Sequence, residues 1–429
     1  MKKTYYIETY GCALAQYESL MMEEILRNRG FHNLNDPSSA EVIIVNTCAV
    51  RLDTEQRIVE RLEQLQRINP RAKLVVAGCL ASARPGLIKR VAKKASLLSP
   101  QNASRILEAV ESRNPVIHIT RERDTRVHAY MPVKGRIATI MIQEGCRNKC
   151  SYCITKLARG APKSYPPRLI IEQVKRTVEK GALEIRLTGT DTGAYGVDLP
   201  GKINVADLVN MILDKVPGEY YIRIGMMTPE EAIRIIDDLI EAYRDDRVFK
   251  FFHIPVQSGS NKVLRIMGRR YTREEYEDLH KSIKKHYPDS LFATDIIVGH
   301  PGETNEDFQE TVELVRKLRF ERVHLAQYSI RPHTKAASMR QISDRVKKER
   351  SIVLTKLIEA IGKEIYGNYV GKIVDVVIVS KSFRGDKYTA RMHNYFPVVV
   401  DYSNGEPPRK PVKVKIIDNS FFDLRGKIL

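Results

Sequence analysis

The chain has 429 residues, and 71 lysines and arginines against 52 aspartates and glutamates give it a formal net charge of +19. Its 43% apolar content excludes a disordered chain, its length predicts two or three domains, and its charge favours a polyanionic partner. No apolar run approaches the roughly 18 residues that a spanning helix needs, and the N-terminus shows no export signal, so we expect a cytoplasmic protein with no membrane partner.

The distribution of cysteines is uneven along the chain. All six lie within the first 153 residues, namely Cys12, Cys48, Cys79, Cys146, Cys150 and Cys153. A secreted disulfide framework would need a smaller chain and an export signal. Metal or redox chemistry is therefore the better expectation for these thiols.

Residues 1–125 alternate between strand and helix patterns and predict a doubly wound α/β domain with a parallel sheet. Helices are expected at about 14–29 and 53–67. Cys12, Cys48 and Cys79 each follow a predicted strand. Because parallel strands place their carboxyl ends at one edge of a sheet, these three cysteines are expected to converge on one site.

Residues 132–366 predict a second α/β domain. Six strand patterns, separated by helical stretches, run through IATIMIQ, LEIRLTG, YYIRIGM, FKFFHIPV, FATDIIVG and RVHLAQYS. Six such units indicate a partial (β/α)6 barrel whose chemistry lies at the carboxyl-terminal rim. A charged helix then leads out of this domain, and its segment 347–350 is interpreted as a solvated face rather than as a tRNA contact.

Residues 367–429 change to short strand patterns broken by glycine and proline, which predicts a small antiparallel β-barrel. Such basic barrels often bind RNA through backbone charge and exposed aromatic side chains, here Tyr388, Tyr395 and Phe396. A merely solvated basic surface is an equally good interpretation of this segment.

Cys146, Cys150 and Cys153 form a C-x3-C-x2-C motif directly after the first strand of the second domain. Three thiolates on one short loop can hold three irons of a 4Fe-4S cluster and leave the fourth iron open. A zinc site would need a fourth ligand, and no nearby cysteine or histidine offers one. The remaining alternative is that the three cysteines lie near each other by chance, and their spacing favours the 4Fe-4S cluster.

This motif on the first loop of a six-unit barrel resembles the radical S-adenosylmethionine superfamily. The resemblance implies that S-adenosylmethionine chelates the open iron and is cleaved to a 5′-deoxyadenosyl radical. It also implies a set of cofactor-binding residues. These are Tyr152 beside the adenine, the turn of Thr188, Gly189 and Asp191 against the amino group, and the rim residues Arg223, Gln257, Ser258 and Val298.

The whole chain is similar to the radical SAM methylthiotransferases, the MiaB and RimO group. In that family Cys12, Cys48 and Cys79 would hold a second 4Fe-4S cluster that carries the inserted sulfur, and the terminal barrel would be of the TRAM type. Arg159-Gly160 fits the family pattern, whereas Ala15, Glu18 and Lys156 depart from it. These departures bear on substrate contacts rather than on cluster binding.

The rim sequences look most like the MtaB-type subgroup that converts N6-threonylcarbamoyladenosine beside the tRNA anticodon into its 2-methylthio derivative. Methylthiotransferases acting on isopentenyladenosine in tRNA or on a ribosomal-protein aspartate are alternatives, and so is a non-catalytic metal-containing RNA-binding protein. Expected partners are tRNA, an electron donor of flavodoxin or ferredoxin type and a sulfur source, and the protein is expected to be a monomer.

Four histidines lie at or near the predicted rim, namely His253, His300, His324 and His333. They are interpreted as polar core or supporting residues rather than metal ligands.

Overall fold

The computed structural model describes residues 3–122, 124–382, 387–402 and 405–429. Its N-terminal part is a six-stranded parallel sheet with the order β2-β1-β3-β4-β5-β6, covered by helices. The elements are β1 Thr4–Thr9, α1 Ala13–Asn28, β2 His32–Asn33, β3 Val42–Thr47, α2 Leu52–Ile68, β4 Lys73–Gly78, α3 Cys79–Ala83, α4 Pro85–Val91, β5 Ser96–Leu98, α5 Ile106–Glu111 and β6 Ile117–His118.

Buried apolar runs explain the centre of this sheet. All six residues of β3 are buried, as expected for a strand that is covered on both faces. Helix α2 buries Ile58, Leu62 and Leu65, which recur at helical spacing on one face, while its other positions are mostly charged. The carboxyl ends of β1, β3 and β4 consequently meet at one edge.

The central part contains six parallel strands with intervening helices. The elements are β7 Val133–Lys134, β8 Ile137–Glu144, α6 Thr155–Arg159, β9 Lys163–Ser164, α7 Pro167–Glu179, β10 Glu184–Gly189, α8 Val205–Lys215, β11 Tyr221–Ile224, α9 Pro229–Arg234, α10 Ile236–Ala242, β12 Phe251–His253, α11 Asn261–Met267, α12 Arg273–His286, β13 Leu291–Val298, α13 Asn305–Leu318 and β14 Arg322–Gln327.

Strands β11, β10 and β8 lie side by side in one sheet, and strands β12, β13 and β14 lie side by side in a second sheet. A parallel bridge links Ile222 of β11 to Val248, which lies just before β12 in the chain, so the two sheets follow one another. The short strands β7 and β9 pair antiparallel with the outer edge of β8. The predicted partial (β/α)6 barrel is therefore confirmed.

Helix α14, Asp344–Gly367, leads from the central barrel to the C-terminal barrel. That barrel is closed, with the order β15-β16-β17-β19-β18, and consists of β15 Ile373–Lys381, β16 Lys387–Met392, β17 Pro397–Asp401, β18 Val412–Asn419 and β19 Leu424–Ile428. The sequence predicted an antiparallel barrel, and the structure contains one parallel pair, β17 with β19, that completes the closure.

Two of the three aromatic side chains that were predicted to be exposed for RNA binding are buried. Tyr395 donates a 2.5 Å hydrogen bond to Glu184 of β10, and Phe396 packs against Tyr366 of α14. The prediction was wrong for these two residues because the C-terminal barrel docks them onto the central barrel. Tyr388 remains partly exposed.

The interpretation of segment 347–350 as a solvated helix face is also wrong for two of its residues. Lys347 and Arg350 are buried, and Arg350 forms an ion pair with the carboxylate of Glu303. Lys348 and Glu349 are exposed. This part of α14 therefore fixes the loop after β13 instead of offering a free basic surface.

Large cores cross between the three parts of the molecule. One hydrophobic cluster includes Ile44 of the N-terminal sheet together with Ile142 and Ile296 of the central barrel. Another joins Phe249 and Phe251 to the inner side chains of the C-terminal barrel. The division at 1–125, 132–366 and 367–429 stays a prediction about separate units.

Within the described ranges, no helix has both the length and the apolar character needed to cross a bilayer.

Candidate active site

A cavity of about 350 Å³ lies where the carboxyl-terminal edge of the N-terminal sheet faces the rim of the central barrel. Cys12, Cys48 and Cys79 line one side of it. The opposite wall comes from four barrel strands, with the residues that follow them, and from helix α6; it includes Thr155, Arg159, Thr188, Gly189, Thr190, Arg223, Met226, His253 and Asp295. The cavity is therefore shared by the two sheets.

The first three cysteines occupy equivalent places in the N-terminal sheet. Cys12 caps the N-terminus of α1, Cys48 follows β3, and Cys79 is the first residue of α3 after β4. Gly11 has a φ of 130° and lets the chain pass close to Cys48, since a β-carbon added at Gly11 would lie only 3.3 Å from the Cys48 β-carbon. The structure thus brings together three cysteines that are 31 or more residues apart in sequence, since Cys48 and Cys79 differ by 79 − 48 = 31.

The electrostatic environment of these thiols fits a metal better than a free thiolate. Burial raises the pKa of Cys79 to about 12, although the nearby Arg159 charge acts in the opposite direction, and burial also raises the pKa of Cys48. Without a cation the thiols would stay protonated near neutral pH, whereas a bound metal displaces the protons. The donor set of three convergent sulfurs fits an iron–sulfur cluster with one iron left open.

The other three cysteines lie on the loop between β8 and α6. The loop is held by hydrogen bonds from the Cys146 backbone N–H to the Gly160 carbonyl, 3.2 Å, and from the Ser151 N–H to the Met267 carbonyl, 2.8 Å. The Asn148 N–H donates to the Cys146 sulfur at 3.4 Å. Burial raises the pKa of Cys146 to about 12, so this triad likewise suits a metal-bound form.

Tyr152 lies between the second and third cysteines of this loop and is tightly held. Its hydroxyl accepts a 2.8 Å hydrogen bond from Arg269, and its ring meets His300 edge to face at a centroid distance of 6.0 Å. His300 in turn pairs with the Ser151 hydroxyl at 3.0 Å. A role beside an adenine ring stays a prediction for Tyr152.

The turn after β10 is fixed by Asp191. This buried carboxylate accepts hydrogen bonds from the Thr228 backbone N–H, 3.0 Å, and hydroxyl, 2.8 Å. Burial raises its pKa to about 6, with the Thr228 hydrogen bonds acting against the shift. Asp191 therefore ties the β10 and β11 ends together, while Thr188 and Gly189 reach the cavity wall. Its predicted contact with an amino group stays a prediction.

Three further predicted cofactor residues lie around β12 and β13. Gln257 has a φ of 70° and a buried side-chain oxygen that has no partner among the described residues. Ser258 is buried, and its hydroxyl lies 3.2 Å from that of Thr311. Val298 is buried at the end of β13. Only Gln257 leaves a polar atom available for a ligand.

Arg223 lies at the end of β11 on the wall opposite the N-terminal cysteines. Its guanidinium carbon sits 4.5 Å from the centre of the Phe251 ring. Next to it His253 Nε2 lies 2.8 Å from Asp295 Oδ1, and His324 approaches the His253 ring at 5.3 Å. These two histidines and Asp295 are close enough to hold a cation, but the Asp295 carboxylate already pairs with His253.

The sequence reasoning missed a buried ionic network beside the N-terminal cysteines. Arg159 donates to Glu18 of α1 at 2.7 Å and to Glu144 of β8 at 3.1 Å, and all three side chains are at most 2% exposed. The only signals were the two isolated observations that Arg159 fits a family pattern and Glu18 departs from one. Their pairing could not be predicted because it depends on how the two sheets meet.

Family comparisons cover most of the chain. Residues 140–315 match the model described as Radical SAM superfamily, residues 4–99 match uncharacterized protein family UPF0004, and residues 367–429 match the TRAM domain. Among solved structures, the radical S-adenosylmethionine methyltransferase TsrM from Kitasatospora setae aligns with a TM-score of 0.55 and 14% identity, covering 79% of this chain and 75% of that one. This likeness concerns the fold alone.

Several curated relatives match nearly end to end. A probable threonylcarbamoyladenosine tRNA methylthiotransferase from Archaeoglobus fulgidus is 39% identical over 433 aligned positions, covering 98% of both chains. The corresponding protein from Pyrococcus abyssi is 38% identical, covering 93% of this chain and 94% of its own. A tRNA-2-methylthio-N(6)-dimethylallyladenosine synthase from Carboxydothermus hydrogenoformans is 33% identical over the full length of both.

Proposed function

This chain belongs to the radical SAM methylthiotransferase family, and from that premise we propose that it adds a methylthio group to C2 of N6-threonylcarbamoyladenosine next to the tRNA anticodon. The observation that carries the proposal is the cavity in which Cys12, Cys48 and Cys79 face the strand ends of the central barrel. A sulfur transferase that inserts into an unactivated C–H bond needs both a sulfur carrier and a radical source at one substrate site.

The choice of substrate rests on the relatives and on charge. Archaeal relatives of 36–39% identity carry the threonylcarbamoyladenosine name. Relatives from Carboxydothermus and Thermoanaerobacter, of 33–36% identity, carry the dimethylallyladenosine name. The net charge of +19 suits tRNA in either case. A methylthiotransferase for dimethylallyladenosine in tRNA is the second candidate, because those relatives cover the full chain at only slightly lower identity.

The proposed cofactors are two 4Fe-4S clusters and S-adenosylmethionine. Cys146, Cys150 and Cys153 would hold one cluster, and Cys12, Cys48 and Cys79 would hold the other. When bound, these groups supply the radical that abstracts hydrogen from the substrate carbon and the sulfur that replaces it. The chain's own side chains anchor the clusters, and the walls formed by both sheets keep water away from the reacting carbon.

Side chains around Cys146, Cys150 and Cys153 would position S-adenosylmethionine. Tyr152 is held by Arg269, and the backbone of Thr188 and Gly189 lies open to the cavity. Because a β-carbon at Gly189 would lie only 3.0 Å from the Gln143 side-chain oxygen, glycine permits the close packing of this turn. These contacts are part of the proposal, as is the polar oxygen that Gln257 offers.

The proposal includes further partners. An electron donor of flavodoxin or ferredoxin type is required because radical formation consumes one electron, and a sulfur source is required because each product gains a sulfur atom. A cytoplasmic location follows from the tRNA substrate. A monomeric state is expected, since both cysteine triads and the shared cavity are formed within one chain.

The direct test is mass spectrometry of tRNA nucleosides from a strain that lacks this protein. We expect loss of 2-methylthio-N6-threonylcarbamoyladenosine with retention of its unmethylthiolated precursor, and restoration by the wild-type chain. Loss of the 2-methylthio dimethylallyl nucleoside instead would support the second candidate. Unchanged tRNA nucleosides would refute both.

Variants separate the two cysteine triads. Cys150→Ala should abolish reductive cleavage of S-adenosylmethionine, which is measured as 5′-deoxyadenosine. Cys48→Ala should leave much of that cleavage while preventing sulfur insertion. Equal loss of both activities in the two variants would contradict separate roles for the triads.

A further inference from the structure

Among the residues that the structure describes, Arg223 is the one arginine of the cavity wall that forms no ion pair with a carboxylate. Within the described ranges its guanidinium forms no ion pair, and its Nε–H is buried without a hydrogen-bond partner. Two other charged residues that line the cavity do form ion pairs. Arg159 has Glu18 and Glu144, and Asp295 has His253.

The surroundings of Arg223 hold it in place without neutralising it. Its guanidinium lies 4.5 Å from the centre of the Phe251 ring and 6.0 Å from that of Tyr395. Aromatic faces orient a guanidinium and tolerate its charge, but they leave its N–H groups free. Although the side chain is enclosed deeply enough for burial to lower its pKa, it keeps surface on the cavity wall.

Glu184 is the carboxylate whose charge acts on Arg223, and it is already used by other groups. Glu184 pairs with Arg186 at 2.6 Å and accepts the Tyr395 hydroxyl, and its pKa is lowered because the charges of Arg186 and Arg391 outweigh the effect of burial. The group around Tyr395 therefore contains three arginines for one carboxylate. A surplus of buried positive charge beside a cavity is costly unless a ligand brings negative charge.

We propose that Arg223 binds an oxyanion of the substrate nucleotide inside the cavity, in place of the cofactor role that the sequence predicted for it. This inference rests on the proposed function. N6-threonylcarbamoyladenosine carries a carboxylate on its threonyl group, and a dimethylallyl group carries none, so a contact to the carboxylate would select between the two modified nucleosides. The same chemistry could come from a backbone phosphate beside the nucleoside, which would fix its position without selecting the modification.

The experiment measures binding of anticodon stem-loop RNA to the anaerobically reconstituted full-length protein by fluorescence anisotropy. Three RNAs are compared, with threonylcarbamoyladenosine, its methyl ester or dimethylallyladenosine at the modified position. Arg223→Gln removes the charge, and Arg223→Lys keeps it without the planar fork. Arg247→Gln is the matched control, because that arginine also lies over a tyrosine ring, at 5.7 Å from Tyr220, but pairs with Asp245 outside the cavity.

If the carboxylate is the ligand, Arg223→Gln should weaken binding of the acid by about 10- to 100-fold and binding of the ester and the dimethylallyl RNA little. If the phosphate is the ligand, affinity should fall by a similar factor for all three RNAs. Arg223→Lys should retain part of the affinity in either case, and Arg247→Gln should bind as the wild type does. Both patterns support an oxyanion site.

Two results would overturn the inference while leaving the proposed function standing. One is RNA binding by Arg223→Gln that equals wild type. The other is weaker binding of S-adenosylmethionine alone, monitored by the change that it causes in the cluster's electron paramagnetic resonance spectrum, with RNA binding intact. A wild-type protein that binds none of the RNAs and modifies none would instead refute the proposed function, and the inference would fall with it.

Discussion

Arg159 links the two facing sheets through buried ion pairs. It is buried together with Glu18 and Glu144, and its charge also acts on the thiol of Cys79. Breaking a buried ionic network by removing one partner leaves uncompensated charges. We expect Arg159→Met to lower the apparent free energy of unfolding by roughly 3–5 kcal/mol, measured by urea unfolding under anaerobic conditions.

The control for this variant is Arg29→Met. Arg29 forms an ion pair with Glu111 at 2.9 Å, but both side chains are exposed, so the free energy of unfolding should change far less than in Arg159→Met. The double variant Arg159→Met with Glu18→Gln should recover part of the stability because one stranded carboxylate is removed. Equal effects of Arg159→Met and Arg29→Met would show that the buried network does not stabilise the interface.

A second residue-scale prediction concerns His280 of α12. Its side chain is buried against the rings of Phe292 and Phe320, and burial lowers its pKa from 6.5 to about 4. A histidine with a lowered folded-state pKa contributes stability above its unfolded-state pKa, and that contribution is lost as pH falls from about 6.5 to about 4. His280→Leu should remove this loss, which is on the order of 3 kcal/mol.

The measurement is the urea midpoint of wild type and His280→Leu at intervals between pH 7 and pH 4. The two curves should diverge as pH falls, with the variant less sensitive to acid. His32→Leu, an exposed histidine in the N-terminal part, serves as the control and should follow wild type. Parallel curves for wild type and His280→Leu would contradict the buried, neutral state of His280.

At the residue scale the sequence predicts where the cysteines lie better than it predicts the side chains that support them. The cysteines could be located because each follows a strand pattern, and their convergence follows from parallel strands meeting at one edge. The Arg159–Glu18 pair and the unmatched charge of Arg223 could not be deduced, since each depends on contacts between residues that are distant in sequence. The predicted cofactor role of Arg223 rests on its place at a strand end, because the sequence does not show its neighbours.

Among the elements, the turn from β4 into α3 determines where Cys79 lies. Gly78 has a φ of 93°, and a β-carbon there would overlap the Asn46 side-chain oxygen and the Thr47 backbone. Gly78→Ala should therefore displace β3 or β4 and separate Cys48 from Cys79. We expect this variant to lose about half of the iron bound by wild type while it keeps reductive cleavage of S-adenosylmethionine.

Gly30→Ala is a matched control, because Gly30 also has a positive φ, 83°, but a β-carbon there meets nothing within 4 Å. Backbone strain is common to both variants, and only Gly78→Ala adds the steric overlap. Iron analysis of both reconstituted proteins is the measurement. Full iron content in Gly78→Ala, or the same loss in Gly30→Ala, would contradict this account of the turn.

The elements themselves were largely predictable, because buried strands and amphipathic helices carry clear periodicities. Helix α1 and helix α2 lie within two residues of their expected ends. The mistakes concern surfaces that become buried between elements, such as Tyr395, Phe396, Lys347 and Arg350. Docking of α14 and the C-terminal barrel covers these side chains, and no local pattern in the sequence contains that information.

For the whole molecule, the charge of +19 predicts strongly salt-dependent tRNA binding. If about six phosphates are contacted, affinity should fall by roughly 10³-fold between about 50 and 200 mM salt. Binding of S-adenosylmethionine over the same range is the control and should change little. A flat salt dependence of tRNA affinity would contradict an interface that is dominated by phosphate contacts.

The central claim is that one chain holds two iron–sulfur clusters through two separate cysteine triads, of which Cys12, Cys48 and Cys79 line the cavity between the two sheets. Iron and sulfide analysis of the anaerobically reconstituted protein tests it most directly, with the triple variant Cys12→Ala, Cys48→Ala, Cys79→Ala and the triple variant Cys146→Ala, Cys150→Ala, Cys153→Ala beside wild type. The account predicts that each triple variant binds half of the iron and sulfide of wild type. Wild-type iron content in the first triple variant, or wild type with the iron of one cluster only, would contradict it.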